Sequence, residues 1–334
     1  MEKPSRQPGS SPVDRSGGSG GIRESSGSTL PTTLWSFSIR CWSGLTRQGH
    51  NGERTRRGRY LQVGKTVSVH LTHHHGLGNE FLIGFVDRVP GNGADLARHL
   101  CDRATGIGAD GLVFGTTDST GRPLFTLFNS DGSRAEVSGN GLRCFGQALA
   151  RRDDVTDLDV VVDTAAGLRH IVVDGGPADV EVWATVEMGV VDSGPSFEGL
   201  DLGLVGVEVL DVESSDLGNP HLVLRVDDPD AVDLSVVGPT IEAYFAPVGC
   251  NVHLIAVEDR ATVRLRPWER GAGLTEACGS GACAAAHIAH GWGLVDGLVD
   301  VVMPGGVATV AVGKPLRLTG PTTWLADHEV AVGG

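Results

Sequence analysis

A single offset of 140 residues superposes separate parts of this 334-residue chain. The stretch EVSGNGLRC at 136–144 returns as EACGSGAC at 276–283, and LGN at 77–79 returns at 217–219. Asn129 stands nine residues before Ser138, as Glu269 stands nine before Cys278. One such match could be chance in a chain with 49 glycines, but three at one offset point to a duplicated unit. A chain that carries one unit twice is constrained to fold twice in the same way. We expect an α/β (α+β) protein of two pseudo-symmetric domains, joined near residue 184.

The apolar pattern agrees with this order. VSVHLTH, FLIGFVD, GLVFGTT and PLFTLFN read as strands, ADLARHLCDR and GLRCFGQALARR as helices, and DVVVDT, LRHIVVD and DVEVWATVEMG as further strands. The second half repeats the sequence of types. LVGVEVLDV, NPHLVLRV, NVHLIAVED and ATVRLRPWE are expected strands, AVDLSVVGPTIEAYF contains a helix, and GACAAAHIAHGWG is an Ala-rich helix. LVDVVMPGGVATVAVG and PLRLTGPTTWLADHEVAV close the chain as strands. Residues 1–66 differ: Ser, Gly, Pro and charge dominate and no period appears, so they read as a disordered extension. Trp35, Cys41 and Trp42 are the exception there and suggest a short docking element. The expected limits are therefore 1–66, 67–184 and 185–321.

Composition removes several function classes. A net charge of −14 and no basic stripe with interleaved aromatics argue against nucleic acid. No apolar run is long enough to span a membrane. Six cysteines over this length make no disulfide framework and suit a reducing compartment. The N-terminus lacks the apolar core of a secretory signal, so a cytoplasmic location is expected.

The two related turns carry the chemistry. Each places Ser or Cys before Gly-x-Gly at the start of a helix, where uncovered N–H groups attract an anion such as a carboxylate. Two such helix starts facing one cleft suit removal of a proton beside a carboxylate, with fixed donors stabilising the charge that develops. A base on one face and an acid on the other would invert the stereocentre. Cys278 fits either role, because a helix start can lower a thiol's pKa and make thiolate accessible near neutral pH. A small buried hydrophobe is the blander reading of any Cys. Position favours chemistry at Cys278, whereas Cys101, Cys144, Cys250 and Cys283 read as packing residues.

At these residues a family resemblance emerges. HGLGNEF (75–81), DRATGIGADGLVF (102–114), FNSDGSRAEVSGNGLRC (128–144), LGNPH (217–221), NVHLI (251–255) and ERGAGLTEACGSGACAAA (269–286) resemble diaminopimelate epimerase, in family order, over roughly 68–330. The resemblance implies two closing domains, each a curved, mostly antiparallel sheet around a central helix, with the last strand (322–334) returning to the first domain. It implies cofactor-independent conversion of LL-diaminopimelate to the meso form, feeding lysine and peptidoglycan synthesis. It also implies a small amino acid as the only ligand class, with dimers frequent in the family. Carried over by position, Cys278 and Ser138 would exchange the proton, and Asn79, Asn129, Asn219 and Asn251 would hold polar groups of the substrate. Glu269 would flank the reacting centre and Arg270 the distal carboxylate. Gly139, Asn140, Gly279 and Ser280 would supply donors, and His221 would support the site. Without the resemblance, each Asn reads as a turn former and Arg270 as a surface charge.

The departures are Glu80, where Asp is frequent, Leu274, where Glu is usual, and above all Ser138, where the family has Cys. An alkoxide is far harder to form than a thiolate, so three outcomes stay open. Ser138 relays a proton and the chain is an altered epimerase. Alternatively, only Cys278 exchanges protons, giving one-sided exchange or an elimination as in Ser/Cys-type hydroxyproline dehydratases, or the chain is a related amino-acid racemase. Finally, the chain binds an amino acid without turning it over.

Two motifs are set aside. Gly106–Gly111 matches G-x-G-x-x-G, but a helix precedes it and a strand follows, the reverse of a dinucleotide loop. His73, His74 and His75 sit on a strand, where successive side chains face opposite ways, so no metal is expected.

Overall fold

The duplication of pattern has a counterpart in the pairing of strands. The computed structural model describes residues 66–333; the expected extension and its Trp35, Cys41 and Trp42 lie outside the described residues. The first repeat runs β1 (Thr66–Gly76), β2 (Asn79–Phe85), α1 (Gly93–Leu100), β3 (Gly111–Thr117), β4 (Pro123–Asn129) and β5 (Arg134–Ala135). It continues with α2 (Gly139–Asp153), β6 (Asp159–Thr164), β7 (Gly167–Asp174) and β8 (Glu181–Gly189). A short β9 (Asp192–Ser193) follows. The second repeat has β10 (Asp211–Asp216), β11 (Pro220–Arg225), α3 (Leu234–Tyr244), β12 (Asn251–Asp259), β13 (Thr262–Glu269) and β14 (Gly273–Leu274). It ends with α4 (Gly279–Gly291), β15 (Leu298–Met303), β16 (Gly306–Ala311) and β17 (Leu316–Gly333).

Pairing is duplicated with its register. β2 lies parallel to β3 with Phe81 opposite Gly111, and β11 parallel to β12 with His221 opposite Asn251, each position moved by 140. β3–β4 and β12–β13 are antiparallel, and β4–β6 and β13–β15 are parallel. Helices cover both faces of these strands, which explains why the strands read as unbroken apolar runs. Along β3, Leu112 and Phe114 pack toward α1 while Val113 packs toward α2. Likewise, Val252 and Leu254 of β12 face the cluster under α3, and Ile255 faces that around α4.

α2 and α4 are buried nearly all round, as central helices must be. They share one core, with Phe125, Ile171 and Val186 around α2 and Val223, Leu265, Val301 and Val310 around α4. No helix among the described residues is long and apolar enough to cross a membrane.

Three features differ from the sequence reading. LVGVEVLDV is not one strand: Leu202–Val205 forms a 3₁₀ turn ended by Gly206 at φ 78°, and pairing begins only at Asp211. Val205, Val207 and Val209 are apolar because they pack into the cluster under α3, without a ladder. The expected joint at residue 184 falls inside β8, which pairs continuously with β7 and β17. The expected returning strand begins earlier than 322, since β17 starts at Leu316 and pairs with β16, β8 and β1.

Candidate active site

The duplication brings the starts of α2 and α4 to one cavity of about 600 Å³. Ser138 is the residue before α2 and takes an extended backbone; its Oγ accepts from the Gly141 N–H at 3.0 Å. Cys278 is the residue before α4, also extended, and its Sγ accepts from the Gly281 N–H at 3.3 Å. The bond is the usual one for a side chain capping a helix, here repeated 140 residues apart. A second mirrored pair braces it. The Asn140 side chain meets Asn79 at 3.4 Å, and Asn219 meets Ser280 at 3.3 Å. The two repeats also touch directly, because Asn140 Nδ2 donates to Ala277 O at 3.0 Å.

The first repeat lines the cavity with Asn79, Asn129, Ser138, Gly139 and Asn140. Asn219, Asn251, Glu269 and Arg270 line it from the second, together with Cys278, Gly279 and Ser280. Gly139 and Gly279 are needed for close approach. A Cβ on Gly279 would lie 2.9 Å from Leu318 and 3.2 Å from the Asn140 backbone nitrogen. His221 is not in the lining. It is fully buried behind Asn219, with Nε2 2.9 Å from Asn219 Oδ1 and Nδ1 2.9 Å from His253 Nε2. Since Asn219 Nδ2 donates to Ser280, its Oδ1 accepts from His221 Nε2–H, and His221 Nδ1 then accepts from His253. Burial, then His253 and Arg270, hold His221 well below the ordinary histidine range, so it is neutral.

Cys278 overturns one expectation. It is 2% exposed, and burial, followed by the Glu269 carboxylate, pushes its thiol well above the ordinary value. The N–H of Gly281 and the Ser280 hydroxyl pull the other way and lose. A helix start therefore does not yield a resting thiolate here; removal from water wins. Burial also raises Glu269, against the bonds from Thr275 Oγ1 (2.7 Å) and from the Cys278 thiol. The buried thiol and the half-buried carboxylate thus form a hydrogen-bonded pair.

The remaining polar groups are held by the chain itself. Asn251 Oδ1 accepts the Arg270 backbone N–H at 3.0 Å, and its Nδ2 donates to Pro220 O at 2.8 Å. The Arg270 guanidinium donates to Val248 O and lies 3.7 Å from a Glu136 carboxylate oxygen. Asn129 donates to Ser133 Oγ at 3.0 Å, the local turn bond open to any Asn. Cys101, Cys144, Cys250 and Cys283 are buried, with thiols pushed up to about 12, 11, 12 and 12.

Sequence reasoning missed three supporting residues. Asp110 lines the cavity, and its Oδ2 accepts from Asn79 Nδ2 at 2.9 Å. Arg143 is fully buried, has no carboxylate partner among the described residues and donates to Asn140 Oδ1 at 3.0 Å. His253 closes the histidine pair. Each stands inside a motif quoted for the resemblance, but nothing in the letters marks its partner. Gly106–Gly111 joins α1 to β3, with helix first and strand after. His74 points inward to Gln147 and Thr72, whereas His73 turns to Glu80.

The family profile described as "Diaminopimelate epimerase" matches residues 71–192 and 214–324. The chain is 38% identical over 269 residues to the diaminopimelate epimerase of Rhizorhabdus wittichii, covering 76% of this chain and 93% of that one. It is 36% identical over 236 residues to that of Moorella thermoacetica, covering 65% and 82%. Among solved structures, a probable proline racemase from Agrobacterium radiobacter superposes with a TM-score of 0.63 at 16% identity, over 79% of this chain and 93% of that one, a likeness of fold. On this match and the duplicated architecture, the chain belongs to the diaminopimelate epimerase family.

Proposed function

We propose that this chain converts LL-diaminopimelate to the meso form, without a cofactor, by moving the proton on the α-carbon. The observation that carries this reading is the pairing of Ser138 and Cys278, each capping a helix start on one shared cavity. An α-carboxylate set between those helix starts meets backbone donors from both. Glu269 takes the Cys278 proton, and the thiolate so formed is held by the Gly281 N–H and the Ser280 hydroxyl. The thiolate removes the α-proton. The Ser138 hydroxyl passes one to the opposite face while taking another from water, and Glu269 then gives its proton back to the solvent, so that every group is restored. Asn129, Asn219, Asn251 and Arg270 take the distal amino and carboxylate groups, with Arg270 leaving Val248 for the anion. His221 keeps Asn219 in place. The repeats act as two lobes that close on a small amino acid in the cytoplasm.

Turnover in deuterated water tests this. The α-carbon of diaminopimelate is expected to acquire deuterium while LL and meso forms approach equilibrium. If label enters from one configuration and no isomer appears, inversion is wrong. The serine hydroxyl in place of a second thiol favours that one-sided exchange as the second reading, and ammonia or keto-acid release from a hydroxylated substrate would then identify an elimination. If Cys278→Ala changes nothing beyond thiol reactivity, the chain is only a binder.

A further inference from the structure

Asn79 lines the cavity, and a planar amide can present either its oxygen or its NH₂ there. Two charged residues remove that freedom. Asp110 Oδ2 accepts from Asn79 Nδ2 at 2.9 Å, which only the NH₂ end can supply to a carboxylate. The same oxygen accepts the Glu80 backbone N–H at 2.8 Å, and Arg103 donates to the other oxygen at 3.0 Å. Asp110 is therefore fixed from three sides, with the Arg103 cation beside it. On the opposite flank, Arg143 donates to Asn140 Oδ1, so the Asn140 NH₂ is turned to Ala277 O and toward Asn79 Oδ1. Asn79 Oδ1 is left as an acceptor facing a donor, at the loose distance of 3.4 Å.

We infer that Asp110 is a positioning residue for amine recognition, acting through Asn79, whose oxygen it commits to accepting a hydrogen bond from the substrate's α-ammonium group. This rests on the proposed amino-acid substrate and adds the group that sets its orientation. An amide free to turn would offer its NH₂ half of the time and repel the ammonium. A carboxylate behind it prevents this, because rotation would set oxygen against oxygen. Acting through Asn79, Asp110 thereby separates α-amino acids from dicarboxylates of the same length.

The test uses Asp110→Asn, Asn79→Ala and the double variant, with LL-diaminopimelate and with heptanedioate, which keeps both carboxylates and lacks the ammonium groups. Wild-type turnover of LL-diaminopimelate tests the proposed function independently. In an active protein, Asp110→Asn is expected to weaken diaminopimelate binding about ten- to a hundredfold, the worth of a charged hydrogen bond, and to leave heptanedioate inhibition unchanged. The double variant should lose no more than Asn79→Ala alone, since both changes remove one interaction. Equal weakening of both ligands, or losses that multiply in the double variant, would overturn the assignment. Unchanged diaminopimelate binding in Asp110→Asn would do the same.

Discussion

The Glu269 carboxylate raises the proton affinity of Cys278, and the thiol's hydrogen bond back to it only partly offsets the effect of burial on Glu269 itself. Glu269→Gln removes the charge and with it one cause of the raised thiol pKa. The pH curve for iodoacetamide alkylation of Cys278 is then expected to move to lower pH, each unit being about tenfold in thiolate at fixed pH. Isomerisation should fall at the same time, because no group is left to take the thiol proton. A curve that stays in place would separate the carboxylate from the thiol.

Ser138 occupies the position that mirrors Cys278 and makes the same capping bond. Ser138→Cys keeps that geometry and lowers the pKa of the second proton carrier. A gain of about 10²–10⁴-fold in kcat on LL-diaminopimelate is expected, the usual range for a well-matched acid or base. An already high wild-type rate with no gain would mean that another group returns the proton.

Gly281 is the donor to Cys278 and also the floor beneath the histidine pair. A Cβ there would fall 2.4 Å from His253 Cε1 and 2.7 Å from its Nε2. Gly281→Ala is expected to displace the ring, destabilise the fold by about 1–3 kcal/mol and disturb the His221–Asn219 bond. Urea unfolding and turnover should report both effects. Full activity with unchanged stability would show that the ring moves freely.

Three fully buried histidines make the fold sensitive to mild acid. Burial lowers His74 to about 4 and His253 to about 3, from an ordinary value of 6.5, and lowers His221 well below it. A depressed folded-state pKa gives stability that is present above 6.5 and lost as pH falls toward the folded value. The loss is about 1.4 kcal/mol per pH unit for each histidine that stays neutral. Unfolding free energies measured between pH 7 and 5 should show this slope, and His253→Gln should lessen it.

The repeat was the legible part of this molecule, because side-chain alternation and the distance between turns survive duplication. Phe81–Gly111 and His221–Asn251 keep one register across two halves whose other residues have diverged. Ser138 and Cys278 were legible as helix starts because capping is local in sequence, whereas the other lining residues were named only through the family resemblance. What escaped was set by contacts that no spacing encodes. Val205, Val207 and Val209 alternate as a strand would, but bury against α3 instead. Arg143 stands 140 residues before Cys283, so the duplication hides its role: one copy has a buried guanidinium where the other has a thiol. The acidity of Cys278 escaped for the same reason, as it depends on how much water the finished core excludes.

β17 gives its 18 residues to both repeats: Leu316–Thr323 pair with β8, Arg317–Thr319 also pair with β16 on the other side, and Thr323–Gly333 pair with β1. The halves are consequently not beads on a string. Any narrowing of the gap between them must be absorbed as torsion along a common backbone, rather than swung about a slack tether. Heating should likewise melt both halves in one calorimetric peak, and two separate peaks would mean that the shared strand transmits nothing.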